Sequence, residues 1–357
     1  MYFMAGVEKK NSIYFSSRGY NGLFLLKDDT LSLIDVFNKE KNKNMLHRKA
    51  FYLNERIWFM PWEGTLIARA DVSSGDIDYI QIDGMENINE KWIYDYRIVD
   101  ERFVYAVTKQ KKLIRIDTIV GTASVIADYE KELSGCIAIG TVVMDDYIYF
   151  CTGGGHMVKV YDTKKNTCCL DENSLNIVDE MDYISILETD DRIWFVPFEK
   201  KCVLSFEKIT RTKNYFEIGG CTSKNMFFDS MDVPQGVLFF PVGDNRIIAS
   251  IQNNEIEFKK IPQTIKKDNE WYEMCSITSY KKINRYAVSN DGIIWKINKD
   301  NEMYLAQKLV LSKDIKKQLL TKYSQFDIFN TQNSEIIKED DEMNSIDFFI
   351  NMISKEA

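Results

Sequence analysis

The sequence is short of the residues that mark several common classes of enzyme. It contains only two histidines, His47 and His156, so one chain cannot assemble a three-histidine metal site. It has no G-x-x-x-x-G-K-[ST] phosphate loop, no H-E-x-x-H or C-x-x-C pair, and no G-x-S-x-G nucleophile turn. We therefore expect no metal and no cofactor, and the sequence leaves open whether the protein is an enzyme.

The sequence also lacks the segments that direct proteins to membranes or anchor them there. No basic stretch followed by an apolar run of about 7–15 residues opens it, and no run approaches about 18 apolar residues. The seven cysteines are an odd number in a long chain, which argues against a disulfide framework. The net charge of −8 is unlike that of a nucleic-acid binder. We predict a cytoplasmic protein with no membrane span and no nucleic-acid partner, of open oligomeric state.

Proline is rare, with 5 residues, whereas aromatic residues are abundant, with 21 Phe, 19 Tyr and 6 Trp. Aromatic side chains favour strands because they pack well on a pleated, half-buried surface. The composition therefore favours an all-β fold.

One short pattern recurs along the chain at intervals of 44–46 residues. Each copy opens with an apolar or aromatic triplet, and a second apolar run starts ten residues after the triplet. The triplets begin at Ile13, Ile57, Phe103, Ile148, Ile193, Val237 and, in a weaker copy, Ile283. The second runs begin at Leu23, Ile67, Leu113, Val158, Val203, Ile247 and Ile293. Copies that keep this register predict a tandem array of one structural unit.

Each unit is predicted to contain four strands, which in the second copy span residues 49–53, 57–60, 66–71 and 77–82. Acidic residues that recur between the strands are expected to form turns, as Asp71, Asp117 and Asp162 do after the third strand. Three prolines that follow the triplets are each expected to end a strand: Pro61, Pro197 and Pro241. Four strands in this period are typical of a β-propeller blade. A β-sandwich is the alternative, although it would not require a tandem period.

The repeat is similar to bacterial β-propellers of the quinoprotein-like, Kelch and WD-repeat kinds, over residues 1–311. The signature pairs of WD repeats and the double glycine of Kelch do not recur from repeat to repeat, and the turns at 71–75 and 162–166 look nearest to quinoprotein-like repeats. The interpretation is a seven-bladed β-propeller of four-stranded antiparallel blades. The blades are predicted near residues 1–38, 47–83, 92–129, 136–173, 182–218, 224–261 and 273–311. A six-bladed ring with an irregular cap stays open, as does the place of residues 2–7, in the inner strand of the first blade or the outer strand of the last.

Residues 312–357 break the repeat and are predicted to form a helical C-terminal extension. Residues 312–323 read as one helix. Ile346, Phe349, Ile350 and Ile353 share one face of a second, with Ser345 as its N-cap. This second helix either packs on its own propeller or docks onto a partner.

In a β-propeller, the loops between the second and third strands share one face with the loops between blades, and that face usually holds the site. The candidate binding residues on these loops are Arg18, Tyr20, Trp62, Glu63, Lys109, His156, Phe198, Glu199, Asp244 and Arg246, followed by Asn290 and Asp291 in the last loop. Aromatic and charged side chains of this kind suit a polar small ligand such as a sugar, or a protein partner.

The missing catalytic motifs favour a binding or protein-interaction module over an enzyme. The alternative is a carbohydrate-active hydrolase or lyase. It would use Glu63, Glu199 or Asp244 as acid and base, with Arg18 or Arg246 binding an acidic sugar. Such chemistry requires two carboxyl groups at a set separation, which in this chain depends on how the blades are arranged.

Overall fold

A computed structural model describes residues 2–41, 45–170, 177, 180–218, 226–234, 236–243, 247–261, 272–279 and 284–326. Strands dominate these residues, together with one helix near the C-terminal end of the described chain. The prediction of a mainly β fold is therefore confirmed. In these ranges, no helix has the length and apolar character needed to cross a membrane.

Consecutive strands pair antiparallel in groups of four. The first three groups are β1 Tyr2–Lys9, β2 Ser12–Arg18, β3 Leu23–Lys27, β4 Thr30–Asp35; β5 His47–Leu53, β6 Arg56–Pro61, β7 Ile67–Asp71, β8 Ile77–Ile80; and β10 Ile93–Val99, β11 Phe103–Thr108, β12 Lys112–Asp117, β13 Thr122–Asp128, joined by the short β9 Ile82–Asp83. The later groups are β14 Ala138–Met144, β15 Tyr147–Thr152, β16 Met157–Asp162, β17 Thr167–Cys168; β18 Tyr183–Glu188, β19 Arg192–Pro197, β20 Cys202–Glu207, β21 Lys213–Glu217; β22 Phe227–Val233, β23 Gly236–Gly243, β24 Ile247–Gln252, β25 Glu255–Lys260; and β26 Tyr272–Ser279, β27 Arg285–Ser289, β28 Ile293–Ile297, β29 Met303–Lys308.

The first strands of successive groups contact one another in chain order, from β1 to β5 and onward to β26. The last of them, β26, returns to β1, where Val7 and Glu8 pair in parallel with Thr278 and Ser279. Residues 2–9 also pair along their length with β2, which makes them the first strand of the first group. The first strands therefore surround a common axis, and further pairing between β23 and β26 joins the last two groups into the same sheet.

The turns follow the predicted chemistry. Asn54 and Glu55 have φ values of 54° and 60°, as a two-residue type I′ hairpin requires. After the third strand, the Asp71 carboxylate accepts hydrogen bonds from the N–H groups of Ser73 and Ser74 at 2.8 and 3.1 Å. These bonds, with one from the Ser73 hydroxyl, lower the pKa of Asp71 to about 2. Asp71 is thus a turn residue, as the sequence predicts.

Two strand boundaries differ from the prediction. The fourth strand of the second group ends at Ile80, and Ile82 instead starts β9, which pairs in parallel with β13 of the next group because its buried side chain packs between the two groups. Pro61 and Pro197 end strands, but β23 continues past Pro241 to Gly243. Pro241 lies beyond Phe239, the last residue of β23 paired with β24, so on that side its missing N–H interrupts no ladder.

Large aromatic side chains fill the space between neighbouring groups. Trp58 is fully buried, stacks on Phe51 with ring centroids 5.9 Å apart, and packs with Ile93 and Ile114 of the next group. Trp194 and Phe239 meet in the same way between the fifth and sixth groups. Neighbouring groups thus bury one another's faces.

The helix α1 spans Lys313–Gln325, and the side chain of Ser312 caps it by accepting a hydrogen bond from the Ile315 N–H at 3.2 Å. Its buried residues, which include Leu319 and Tyr323, pack in one cluster with side chains of the first and last groups. The prediction of a helix over 312–323 is confirmed. The second predicted helix, with Ile346, Phe349, Ile350 and Ile353, lies outside the described residues.

Candidate functional site

The loops between second and third strands are joined from group to group by main-chain hydrogen bonds. The carbonyl of Trp62 accepts from the N–H of Trp92 at 2.9 Å, and the carbonyl of Phe198 accepts from the N–H of Met226 at 2.9 Å. In both cases the donor lies just before the first strand of the next group. These loops therefore lie side by side at one end of the ring, which we call the loop face.

Several residues predicted to bind ligands have structural partners on this face. Arg18 forms an ion pair of 2.8 Å with the buried Glu273, and Tyr20 packs against the cluster that contains α1. The Glu63 carboxylate accepts a hydrogen bond from the Met45 N–H at 3.0 Å. Phe198 is half-buried against the cluster between the fifth and sixth groups.

The other described residues of the prediction are spread around the loop face. Lys109, His156 and Glu199 are exposed, whereas Asp244 and Arg246 lie outside the described residues. The glycines before His156 serve packing between groups, since a Cβ added at Gly155 would lie 2.7 Å from a methyl group of Leu204.

Two predicted residues belong to a column of cations and aromatic rings on the loop face. The Arg48 guanidinium lies 4.5 Å from the ring centroid of Trp62, and the Trp62 and Trp92 rings are 4.6 Å apart. The Lys109 ammonium lies 4.0 Å from the Trp92 ring and closes the outer end. We call Arg48, Trp62, Trp92 and Lys109 the aromatic stack; it runs from a buried arginine to an exposed lysine.

Trp92 has an unusual backbone. Its φ of 45° places a bulky residue in the left-handed region, which costs about 1–2 kcal/mol. Its N–H and carbonyl are both bonded, to Trp62 and Lys109, and its indole N–H donates to Glu90 at 2.7 Å. The half-buried ring lines an open surface depression of about 570 Å³. The strained backbone is therefore held by loops of two groups and positions Trp92 at the surface depression.

A second candidate site lies on the axis of the ring. A cavity of about 610 Å³, which we call the axial channel, is lined largely by the first strands. Its charged side chains form a network: Arg97 bonds Glu188 at 2.7 Å and Asp95 at 2.6 Å, and Lys208 bonds Glu188 at 2.7 Å. Across the axis, Lys49 of β5 and Asp229 of β22 are 3.3 Å apart.

Burial and pairing act in opposite directions on the acids of the axial channel. Burial raises the pKa of Asp95, because the partly compensating charges of Arg97 and Lys49 do not offset its loss of solvent. Burial also tends to raise the pKa of Asp229, but Lys49 together with the hydrogen bonds from Ser276 lowers it overall. The two acids thus have different tendencies to hold a proton.

None of the described residues predicted to bind ligands lines the axial channel. A usable signal lies eight residues before each of the first six triplets, where the equivalent positions are Ala5, Lys49, Asp95, Gly140, Ser185 and Asp229. Each directly follows a register shift in the first strand of its group. The repeated bulge turns this position toward the axis.

Comparison with known proteins finds no matching family model and no matching curated protein. Solved structures do match. The WD40 β-propeller domain of Doa1 is 10% identical, with a TM-score of 0.53, over 88% of this chain and 94% of that chain. The Dos1 propeller is 10% identical, with a TM-score of 0.55, over 87% of this chain and 84% of that one. The chain has a β-propeller fold.

Two longer proteins also resemble this propeller. The extracellular domain of the one-component system BT4673 from B. thetaiotaomicron is 12% identical, with a TM-score of 0.59. The match covers 86% of this chain and 42% of that one. PorZ, a surface component of the type-IX secretion system of Porphyromonas gingivalis, is 11% identical with a TM-score of 0.56, over 87% of this chain and 38% of PorZ. The chain thus spans about two fifths of these proteins. At this identity, the likeness extends to the fold alone.

Proposed function

We propose that this protein is a seven-bladed β-propeller that acts as a protein-binding module through its loop face. The seven-bladed ring is supported by the grouping of the described strands in fours and by the contacts that lead from β1 through each first strand to β26 and back. The propeller neighbours are consistent with a binding role.

The observation that carries the proposal is the strained, solvent-facing end of the aromatic stack. Tryptophan and arginine are the residues that most often dominate protein interfaces, where they occupy well-packed positions ringed by polar groups. Trp92 matches that description, because Trp62 supports it from within and charged residues such as Glu90 and Lys109 surround it. A rigid anchor of this kind loses little conformational entropy on binding.

The same geometry favours a protein partner over a sugar. A sugar would stack on an open aromatic face, but Trp62 covers one side of the Trp92 ring and Lys109 lies over the ring as well. The half-buried Trp92 borders an open depression of the surface. The surroundings of Glu63 and Glu199 give no specific support to the hydrolase alternative, which stays a prediction.

We also propose a cytoplasmic location. Six cysteines of the described chain are free, and one of them, Cys168, is exposed beside Cys169. An exposed thiol next to a second thiol is readily oxidised outside a reducing compartment, so this pair suits the cytosol. Alkylation of intact cells and of their lysates, read out on Cys168 by mass spectrometry, tests this: a reduced thiol in the cytosolic fraction supports it, and recovery of the protein outside the cell contradicts it.

The binding proposal is tested by affinity capture from lysate of the source cells after cross-linking. We expect Lys109→Glu and Trp92→Ala to lose the proteins that the wild type captures. Lys259→Glu, an equal charge reversal on the exposed outer strand β25, should keep them. Thermal melts would establish that the exposed Lys109 variant is folded. If all variants capture the same proteins as the wild type, the assignment of the loop face is wrong.

A further inference from the structure

The axial channel opens away from the loop face. Its lining includes Thr189 and Asp190, which follow β18, together with Asp232 and Ser279 near the ends of β22 and β26. The loops that carry the aromatic stack lie instead near the starts of the first strands. The two sites therefore face opposite sides of the propeller, and a role for one does not depend on the other.

The inner acids of the channel are already satisfied. Both oxygens of Glu188 are bonded, one to Arg97 and the other to Lys208, each at 2.7 Å. Asp229 pairs with Lys49 through one oxygen, and its other oxygen accepts from the N–H and hydroxyl of Ser276 at 2.8 and 2.6 Å. These bonds set the shape of the channel, and they use both oxygens of Glu188 and of Asp229.

Two other lining groups are not satisfied in the same way. Arg285 donates through Nε to the main-chain carbonyl of Asp232 at 2.9 Å, and it forms no ion pair with an acid of the described chain. The hydroxyl of Ser230 is buried, with the residue only 4% exposed, and it has no hydrogen-bond partner among the described residues. The Ser230 hydroxyl is closed off from the cavity, whereas the half-buried guanidinium of Arg285 lines it and is a group that a ligand would satisfy.

The charge of the channel limits the kind of ligand. A planar guanidinium fits a carboxylate or a phosphate through two parallel hydrogen bonds. The lining carries four cationic side chains, namely Lys49, Arg97, Lys208 and Arg285. It carries five acids, namely Asp95, Glu188, Asp190, Asp229 and Asp232. This excess of acid opposes a multiply charged anion, and it provides acceptors for hydroxyl or ammonium groups elsewhere on the ligand.

We propose that the axial channel binds a small monocarboxylate that also carries hydroxyl or amino groups, with its carboxylate on Arg285. The volume of about 610 Å³ lies in the range of about 300–1,000 Å³ that is usual for small-molecule sites. Two sources share this chemistry, sugar acids and amino acids.

Calorimetric titration distinguishes the two sources. The probes are glucuronate and serine, with glucose, serinamide and inorganic phosphate as controls that lack the single carboxylate. We expect one of the two acids to bind with a Kd at or below about 1 mM and its neutral control not to bind. Weak binding of both acids, or binding of phosphate more tightly than either, would overturn the proposal.

Variants assign the binding to the channel. Arg285→Gln should weaken binding by about tenfold or more, because a hydrogen-bonded ion pair is lost. Arg285→Lys should restore part of the affinity, since lysine keeps the positive charge but lacks the paired N–H donors of the guanidinium. Arg115→Gln is the matched control, because Arg115 also makes one side-chain hydrogen bond, to Asn166, but lies outside the channel. Equal affinities for wild type and folded Arg285→Gln would contradict the assignment. The result of the affinity-capture experiment on the loop face has no bearing on it, because the two sites lie on opposite sides of the propeller.

Discussion

Replacing His47 with phenylalanine should remove a loss of stability that the wild type suffers in mild acid. His47 begins β5 and is only 1% exposed, with its ring centroid 4.5 Å from that of Phe37 and 5.4 Å from that of Phe59. Neither ring nitrogen has a hydrogen-bond partner in the described chain. Burial lowers the pKa of this histidine to about 3. The folded protein therefore holds His47 neutral where the unfolded chain protonates it.

The sign and size of the effect follow from linkage. The unfolded chain binds a proton at His47 below a pH of about 6.5, whereas the folded chain does so only near 3. Between those values, each unit by which the pH falls lowers the free energy of unfolding by about 1.4 kcal/mol. From pH 7 to pH 5 the wild type should lose about 2 kcal/mol through this residue. Phenylalanine leaves no hydrogen bond unmade, so His47→Phe should be close to neutral at pH 7.

Urea unfolding at pH 7 and pH 5 gives the change in the free energy of unfolding for each protein. Subtracting the change in the variant from that in the wild type removes the contribution of acids that titrate in the same range. His156→Phe is the control, because His156 is exposed and should retain the wild-type dependence on pH. The reasoning would be refuted if His47→Phe lost as much stability between pH 7 and pH 5 as the wild type does.

Three further changes test other parts of the fold by the same urea unfolding. Leu319→Ala should cost about 2–5 kcal/mol because this side chain of α1 is fully buried, and Lys317→Ala on the exposed side of α1 should cost less than about 0.5; equal costs would mean that α1 does not stabilise the propeller. Gly236→Ala should cost about 2–4 kcal/mol, since φ is 144° and an added Cβ would overlap a main-chain carbonyl of the neighbouring strand. Gly19→Ala, with φ of 83° and open space around it, should cost about 1–2 kcal/mol through backbone strain alone. A loss there as large as that of Gly236→Ala would mean that the overlap at Gly236 adds nothing to the cost of strain. Arg97→Met should cost about 3–5 kcal/mol by leaving the buried Asp95 without its ion-pair partner and Glu188 with Lys208 alone, and an unchanged midpoint would show that the network contributes nothing to stability.

The candidate sites could be predicted only in part. The repeat assigns Trp62 and Lys109 to the loop face, and there the prediction includes them; Trp92 lies between them in space but precedes a first strand, so the repeat does not indicate it. Arg48 was missed because nothing in its local sequence indicates that its guanidinium lies on the Trp62 ring. The axial channel was missed although its residues recur at the repeat interval, since their meaning depends on the bulge that precedes them.

The sequence by itself determined the local structure of this protein: the four-strand period, the turns at residues such as Asp71 and the capped helix after Ser312. These features depend on neighbours a few residues apart, whose backbone preferences are set by their own side chains. Only the tertiary structure decided which distant side chains meet, as when Lys49 reaches Asp229 across the axis. Such pairs depend on the register of separate strands and on the closing of the ring. A register change of one residue would turn each side chain to the opposite face.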